Sequence, residues 1–542
     1  MSAALSALLR RARSGALRNS LIVMAGFVLS RITGLLRDLV ASFAFGTSPD
    51  YGAYVLAFRI TDLLYLVFIG GALGSSFIPV FIEVWERDGQ QRAWRLASTV
   101  VTWALLALAV ASAVLFVAAP WLAGALYGGP EVSQATLDLI SGMARLFLFS
   151  PLLLGLGGLA MAALNARDRF ALPALAPTVY NLGIIGGALC GLLLPGLGIW
   201  AMAWGVVVGA ALYLLLQLPG LLAIGMRLRP TLGAGAPEVW QVARQMGPRV
   251  LGQAAAHISA AATLALAAQL PAGVEKAAGL NYAYQLMLLP YGIFSLSLST
   301  VAFPRLARLV AGGRYDELAA DARSTLATIL WLTLPAASAL LTLGVPVARA
   351  LYERGAFDER SLQFTVAALM GYALALPAFA ASEILIRCFY AMQRVWAPVL
   401  VGLLQVALNL AAGVALVRAG GDVGALALAF SLANNVEALL LLLLLGRVLP
   451  GIWRDRPTWR TLAAALAGAL LLGLGLAGLR DASTGVVPAL SAAHRYLWTR
   501  DLPMLLGWLA LAGGLGSAFY LAITGALGAT PARAIVGRLR AR

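Results

Sequence analysis

Charge is what this chain has least of. Only 11% of its 542 residues are charged, where a soluble domain carries about a quarter, and 61% are hydrophobic, so its natural solvent is lipid. Cysteine and histidine are down to two of each. Cys190 and Cys388 both lie inside apolar runs, and neither a disulfide framework nor a Cys/His metal site is expected. No Gly-rich loop followed by Lys and Ser/Thr is present, so ATP is not expected to be the direct energy source and no cofactor is implied. Ser/His/Asp and HExxH arrangements are missing too. A membrane glycosyltransferase would need acidic residues gathered at a membrane boundary to hold metal or act as base. Asp38, Asp50 and Asp62 are too dispersed for that. The expectation is a transporter, with no catalytic residue. The segment before Arg18 is short and basic and runs into a full apolar span without a small-residue cleavage pattern, so no removable signal peptide is expected.

What is present is a series of long Leu/Ala/Val/Gly runs without period-2 alternation. In a hydrocarbon core about 30 Å thick, where unpaired backbone groups are not tolerated, such runs are spanning helices of roughly 20 residues. Fourteen are predicted, at 20–45, 53–84, 96–119, 138–164, 171–194, 198–225, 249–269, 279–304, 324–345, 362–390, 395–417, 423–446, 460–479 and 502–527, giving an all-α polytopic membrane protein. The second and eighth carry Gly, Pro and polar residues and are expected to be bent. The net charge of +16 would suggest nucleic acid in a soluble protein, but here the arginines sit in short loops and read as topology. The N-terminus, even-numbered connections and C-terminus hold 27 Lys and Arg, and the odd connections hold 8. Both termini are therefore predicted to be cytoplasmic. The connection at 346–361 runs against the trend with Arg349, Arg354 and Arg360.

Laid on itself with a shift of 225 residues, the chain repeats. Pro79 falls on Pro304, Ala125-Leu126-Tyr127 on Ala350-Leu351-Tyr352, Ala166 on Ala391, Arg169 on Arg394 and Pro173 on Pro398. Six helices return a chain to its starting side, so two halves of like orientation are expected. The predicted organisation is a cytoplasmic segment at 1–18, an N-lobe at 19–225, a linker at 226–243, a C-lobe at 244–448, two further helices within 449–527 and a basic tail at 528–542. With both lobes in one chain, a monomer is expected.

Ionisable groups within spans cost about 2.5–3.5 kcal/mol each on insertion scales and need a reason. The first span holds Arg31, Arg37 and Asp38. At 100° per residue Arg31 and Asp38 come nearly onto one face, with Arg37 about a third of a turn away. They fit either a cationic wall that receives an anionic headgroup or an Arg-Asp pair that locks helices together. Arg59 and Asp62, three apart, are neighbours on a second helix and fit mutual neutralisation or a cavity role equally. Glu383 and Arg387 read as a structural pair, Arg145 as a residue that snorkels from a helix end, and His257 as a hydrogen-bonded histidine or a proton relay. Asn409, Asn434, Asn435 and Glu437 offer oxygen ligands to an ion, or bonds across helices.

At these residues the sequence resembles the MurJ (MviN) lipid II flippases of the multidrug/oligosaccharidyl-lipid/polysaccharide exporter superfamily. The likeness covers about residues 19–527. It rests on Ser30-Arg31, Gly34 and Arg37-Asp38, on Phe77-Ile78-Pro79, on Asn165-Ala166-Arg167-Asp168-Arg169-Phe170 with Pro173-Ala174-Leu175-Ala176-Pro177-Thr178, and on Gln245-Met246-Gly247-Pro248. The resemblance implies two six-helix lobes around a central cavity, two extra helices forming a lipid-facing groove, and alternating access. It also implies a bacterial inner-membrane setting, peptidoglycan precursor as cargo, and coupling to membrane potential, Na+ or H+. Arg31 and Arg37 fall on cavity arginines of the family's first helix. Tyr65 and Gln285 stand where the family has arginines in the second and eighth helices. Gly52 stands where an acidic residue usually opens the second helix. Asn409 matches an eleventh-helix sodium ligand, with Gly413 where some members have a carboxylate. The substrate-binding set read from the sequence is thus Arg31, Arg37, Arg59, Asp38, Tyr65 and Gln285, with Asn409 for an ion. A paralogue exporting another polyprenyl-linked saccharide, a cation-coupled drug exporter and a non-transporting envelope scaffold remain as alternatives.

Overall fold

The computed structural model describes residues 2–68, 72–129, 131–227, 229–233, 240, 244, 257–453, 455–491 and 496–540. Those residues are helical throughout, with no strand among them, and eleven of their helices are long and apolar enough to cross a membrane. Large apolar side chains such as Val117, Leu193 and Leu474 stand more than 70% exposed, as the outer surface of a protein solvated by lipid requires.

The helices divide into two compact units. One comprises residues 1–45, 49–128 and 132–257, and the other 46–48, 129–131 and 258–542. The first unit begins with α1 (Ser2–Phe45), α2 (Pro49–Phe68), α3 (Ala72–Asp88) and α4 (Gln90–Tyr127). It continues with α5 (Gln134–Phe147), α6 (Phe149–Ala166), α7 (Ala171–Leu193), α8 (Gly198–Leu215) and the short α9 (Leu218–Ala223). The span expected at 53–84 is therefore shared by α2 and α3. Without a hydrophobic drive between helices in lipid, packing relies on small residues that let backbones approach. A Cβ on Gly183 of α7 would lie 2.4 Å from Cα of Gly209 in α8, and one on Gly26 of α1 would lie 2.5 Å from the carbonyl oxygen of Ala174 in α7. α1, α7 and α8 thus meet backbone to backbone. Around α2 the packing is aromatic instead, with Tyr54 edge-on to Phe147 of α5 at 5.3 Å.

The second unit opens with the helix His257–Ala268, here α10, whose first residue is counted with the first unit. α11 (Gly273–Pro290) passes through one π-helical turn at Tyr291–Leu296 into α12 (Ser297–Ala311). Pro290 lacks the N–H that would continue the ladder, and the widened turn follows directly after it. α13 (Tyr315–Tyr352), α14 (Glu359–Ala391), α15 (Trp396–Arg418) and α16 (Val423–Val448) complete the unit's core, and α17 (Arg456–Ser483), α18 (Trp498–Ala526) and α19 (Thr530–Arg540) follow. Leu306, Leu318, Ile329, Leu385, Leu441 and Leu445 are buried where α12, α13, α14 and α16 converge. Tyr127 and Tyr352, paired by the internal repeat, are both buried.

Candidate substrate-binding site

The polar stripe of α1 is ordered by α7. Counting 100° per residue from Gly26, residues Ser30, Thr33, Gly34 and Arg37 come round to the same side. Ala174 and Asn181, seven apart, share a side of α7. The Gly26–Ala174 approach brings these stripes together, and Gly34, lacking a side chain, leaves its nearest neighbour, Nδ2 of Asn181, 3.7 Å from where a Cβ would sit. Asn181 then reaches across and donates from Nδ2 to the carbonyl oxygen of Ser30 at 3.2 Å and to Oγ1 of Thr33 at 3.3 Å. Its Oδ1 accepts from Nη1 of Arg37 at 3.2 Å.

Arg37 donates Nε and Nη2 to Oδ1 of Asp38, at 3.0 and 2.9 Å. The Asp38 carboxylate is nearly buried, while the Arg37 side chain keeps 24% of its surface accessible. The helical wheel placed Arg31 with Asp38. Instead the guanidinium of Arg37 folds back on its chain neighbour, because a side chain with four rotatable bonds easily covers one residue's angular offset. Arg31 is exposed, with its guanidinium 5.1 Å from the centre of the Phe27 ring, a cation-π contact.

On α2, Nη1 of Arg59 donates to Oδ2 of Asp62 at 2.9 Å, with both side chains under 20% exposed. This is the neutralising pair that the spacing suggested, and His257, half-buried, lies within its electrostatic reach. The side chain of Tyr65 lies outside the described residues, as does the Gln245-Met246-Gly247-Pro248 motif. Gln285 is half-buried on α11, beside Tyr284, whose ring meets those of Tyr372 and Phe430 edge-on.

Asn409 of α15 is buried against α10. Its Nδ2 donates to the carbonyl oxygen and Oγ of Ser259 at 3.2 and 2.9 Å, and to Oγ1 of Thr263 at 2.9 Å. Nε2 of Gln405 adds a bond to Oγ of Ser259 at 3.2 Å. The Asn409 amide is turned nitrogen-first into the cluster, and a Cβ on Gly413 would lie 2.8 Å from Cδ1 of Leu266, so a leucine fills the space one turn on. Asn434 and Asn435 likewise donate to backbone carbonyls, of Phe430 at 2.7 Å and of Ser431 at 2.8 Å. Arg387 donates to Glu383 at 2.8 Å, and Tyr291 donates to the same carboxylate at 2.8 Å, so this pair ties α14 to the π-helical turn. Arg145 donates to the carbonyl of Phe116 at 2.9 Å.

Sequence reasoning passed over two residues. Asn181 has no charge to mark it, and only the coincidence of two glycine-bearing stripes could have flagged it. Arg349, read as a loop charge, is fully buried at the end of α13. It donates to Glu353 at 2.8 Å, to Glu359 at 3.2 Å and to the carbonyls of Ala489 and Ser491 at 2.9 and 2.7 Å. Its charge is consumed internally, so it does not act as a free loop charge.

A half-buried guanidinium beside a neutral amide, set in an apolar helical surround, suits an anionic group attached to a lipid. The family model described as lipid II flippase MurJ matches residues 41–488. The chain belongs to the MurJ family. Similar members include the lipid II flippase MurJ of Burkholderia cenocepacia, 31% identical over 469 residues that cover 84% of this chain and 89% of that protein. The probable lipid II flippase MurJ of Vibrio cholerae is 27% identical over 529 residues, covering 94% and 95%. Among solved structures, the fold matches a lipid II flippase MurJ in an inward closed conformation, with a TM-score of 0.74 and 22% identity over 93% of this chain and 98% of that one. An inward-facing multidrug resistance transporter described as a MATE family member of the MOP superfamily matches the fold at a TM-score of 0.64 and 12% identity, covering 79% and 96%. MurJ family membership and the apolar helices together make this a multi-pass protein of the bacterial inner membrane.

Proposed function

We propose that this chain moves lipid II, a polyprenyl diphosphate carrying a saccharide, from the cytoplasmic to the outer leaflet by alternating access, without making or breaking a bond. The observation that carries the reading is Arg37, held half-buried in α1 with 24% of its side chain accessible and two guanidinium N–H groups not engaged by Asp38 or Asn181. A guanidinium is weakly hydrated and planar, and it grips phosphate oxygens through paired N–H groups. Arg31, exposed on the same helix, adds a second positive charge. Membrane potential supplies the drive in this proposal, since one elementary charge crossing 100 mV gains about 2.3 kcal/mol. A sodium gradient is disfavoured by the neutral, leucine-plugged surroundings of Asn409. The chain acts as a monomer with both termini in the cytoplasm.

The test is rescue of a cell depleted of its own lipid II flippase. The wild-type chain should restore growth. Arg37→Ala should insert normally yet fail, and Arg37→Lys should rescue only in part, because an ammonium cannot form the two-bond fork. Normal flipping by Arg37→Ala in vesicles would remove the claim. Failure of the inserted wild type to rescue, together with export of another polyprenyl saccharide, would reassign the cargo.

A further inference from the structure

A guanidinium carries five N–H donors in one plane. In Arg37, the Nε donor and one on Nη2 go to Asp38, and one on Nη1 goes to Asn181. One N–H therefore remains on each terminal nitrogen, and with the Asn181 bond made by the Nη1 hydrogen on the Cδ side the two that remain point forward together, at the spacing that matches two oxygens of a phosphate. Which way this fork faces depends on what holds the far side of the guanidinium, and that is Asn181.

The amide of Asn181 has only one workable orientation. The Thr33 hydroxyl gives its proton to the carbonyls of Leu29 and Ser30, at 2.9 and 3.1 Å, so it offers Asn181 only lone pairs. The Ser30 carbonyl is likewise an acceptor. Both therefore call for the amide nitrogen, and the oxygen is left facing Arg37. Because Asn181 is buried, flipping the amide would leave several groups unpaired at once. Leucine in its place would strip Nη1 of its partner and free the guanidinium to swing fully onto Asp38. Aspartate would set two carboxylates against one guanidinium and make the site anionic.

We propose that Asn181 is the positioning residue of the headgroup site: it touches no lipid itself but holds Arg37 so that its two remaining donors form a diphosphate fork. This rests on the reading of the chain as a flippase of polyprenyl diphosphate lipids. The rival explanation is a helix latch, in which Asn181 merely joins α7 to α1.

The experiment measures binding of undecaprenyl diphosphate and undecaprenyl monophosphate to the purified full chain in nanodiscs. Asn181→Leu should weaken the diphosphate lipid about tenfold, and Arg37→Ala with Asn181→Leu should bind no more weakly than Arg37→Ala alone, since the asparagine acts through the arginine. Asn181→Asp should bind more weakly still, and adding Asp38→Asn should recover most of the loss by restoring one carboxylate per guanidinium. The charge swap also decides the matter if Asn181→Leu fails to insert. A latch predicts otherwise: a lower thermal midpoint, a loss additive with Arg37→Ala and no recovery by Asp38→Asn, and that pattern overturns the proposal. Undiminished affinity in Asn181→Leu overturns it as well. Wild-type protein that binds no undecaprenyl diphosphate overturns the flippase reading and this inference together.

Discussion

At the scale of single residues, the polar groups buried in this protein sort by whether a neighbour has already answered them. Arg59 is answered by Asp62 and Arg387 by Glu383, and both pairs were legible from their i,i+3 and i,i+4 spacing. Arg37 is answered only in part, and its half-answered state is what recommends it as a ligand. Its partner on α7 was not legible, because a neutral asparagine announces itself only when two helices are brought together. Asn409 was legible as a polar residue in a span but not as a donor into a hydroxyl cluster. That cluster yields a prediction. Asn409→Ala should destabilise the protein by about 1–3 kcal/mol through the hydroxyls and carbonyl it leaves unpaired. The thermal shift should be the same in sodium and in potassium buffers. A midpoint of the wild type that climbs with sodium and ceases to do so in Asn409→Ala would restore an ion site here.

At the scale of elements, the helices came from hydropathy, but their seams did not. Gly183 and Gly186 look alike in the sequence of α7. A Cβ on Gly183 strikes the backbone of α8, whereas one on Gly186 meets nothing within 4 Å. Gly183→Val should thus force the two helices apart at a cost of about 1–3 kcal/mol or more, while Gly186→Ala should leave thermal stability unchanged or slightly higher. Equal effects would refute backbone-to-backbone packing of α7 on α8. The connection after α13 holds a second device. Arg349→Ala would take the buried counter-ion from Glu353 and a donor from the carbonyl of Ala489, and loss of a buried counter-ion costs about 3–5 kcal/mol. Burial raises the Glu353 carboxyl above its ordinary value of 4.5, against the opposing pull of Arg349. The folded protein then holds this proton more tightly than the unfolded chain. The stability it contributes is full below the ordinary value and is lost as pH rises through the raised one. Glu353→Gln should flatten that part of the profile of thermal midpoint against pH, and an unchanged slope would show that another group titrates there.

At the scale of the whole molecule, composition made the solvent legible, and the family followed from motifs that lie in order along the chain. The number of spans was less legible. Hydropathy alone does not separate one bent span from two helices, as α2 with α3 and α5 with α6 illustrate. Orientation rests on a different physical quantity, the distribution of positive charge, and it leads to the last prediction. Lys and Arg near span ends resist translocation, so the side that holds 27 of them should remain in the cytoplasm. One of the three arginines that run against that count lies inside the fold. Arg349 is enclosed by Glu353, Glu359 and two carbonyls, so it is neutralised within the fold and does not act as a free surface charge. Arg480 at the end of α17 is paired with Asp481 at 2.8 Å, which weakens its vote in the same way. The basic tail, with Arg533, Arg538, Arg540 and Arg542, has no acidic residue after Asp501 to offset it. A reporter active only in the cytoplasm should therefore work when fused after Arg542, and one active only outside should work when placed at the connection between α13 and α14. Activity of the external reporter after Arg542 would invert the topology. It would then also reverse the direction in which the proposed lipid is carried, because the cytoplasmic leaflet is where a charged headgroup would have to be loaded.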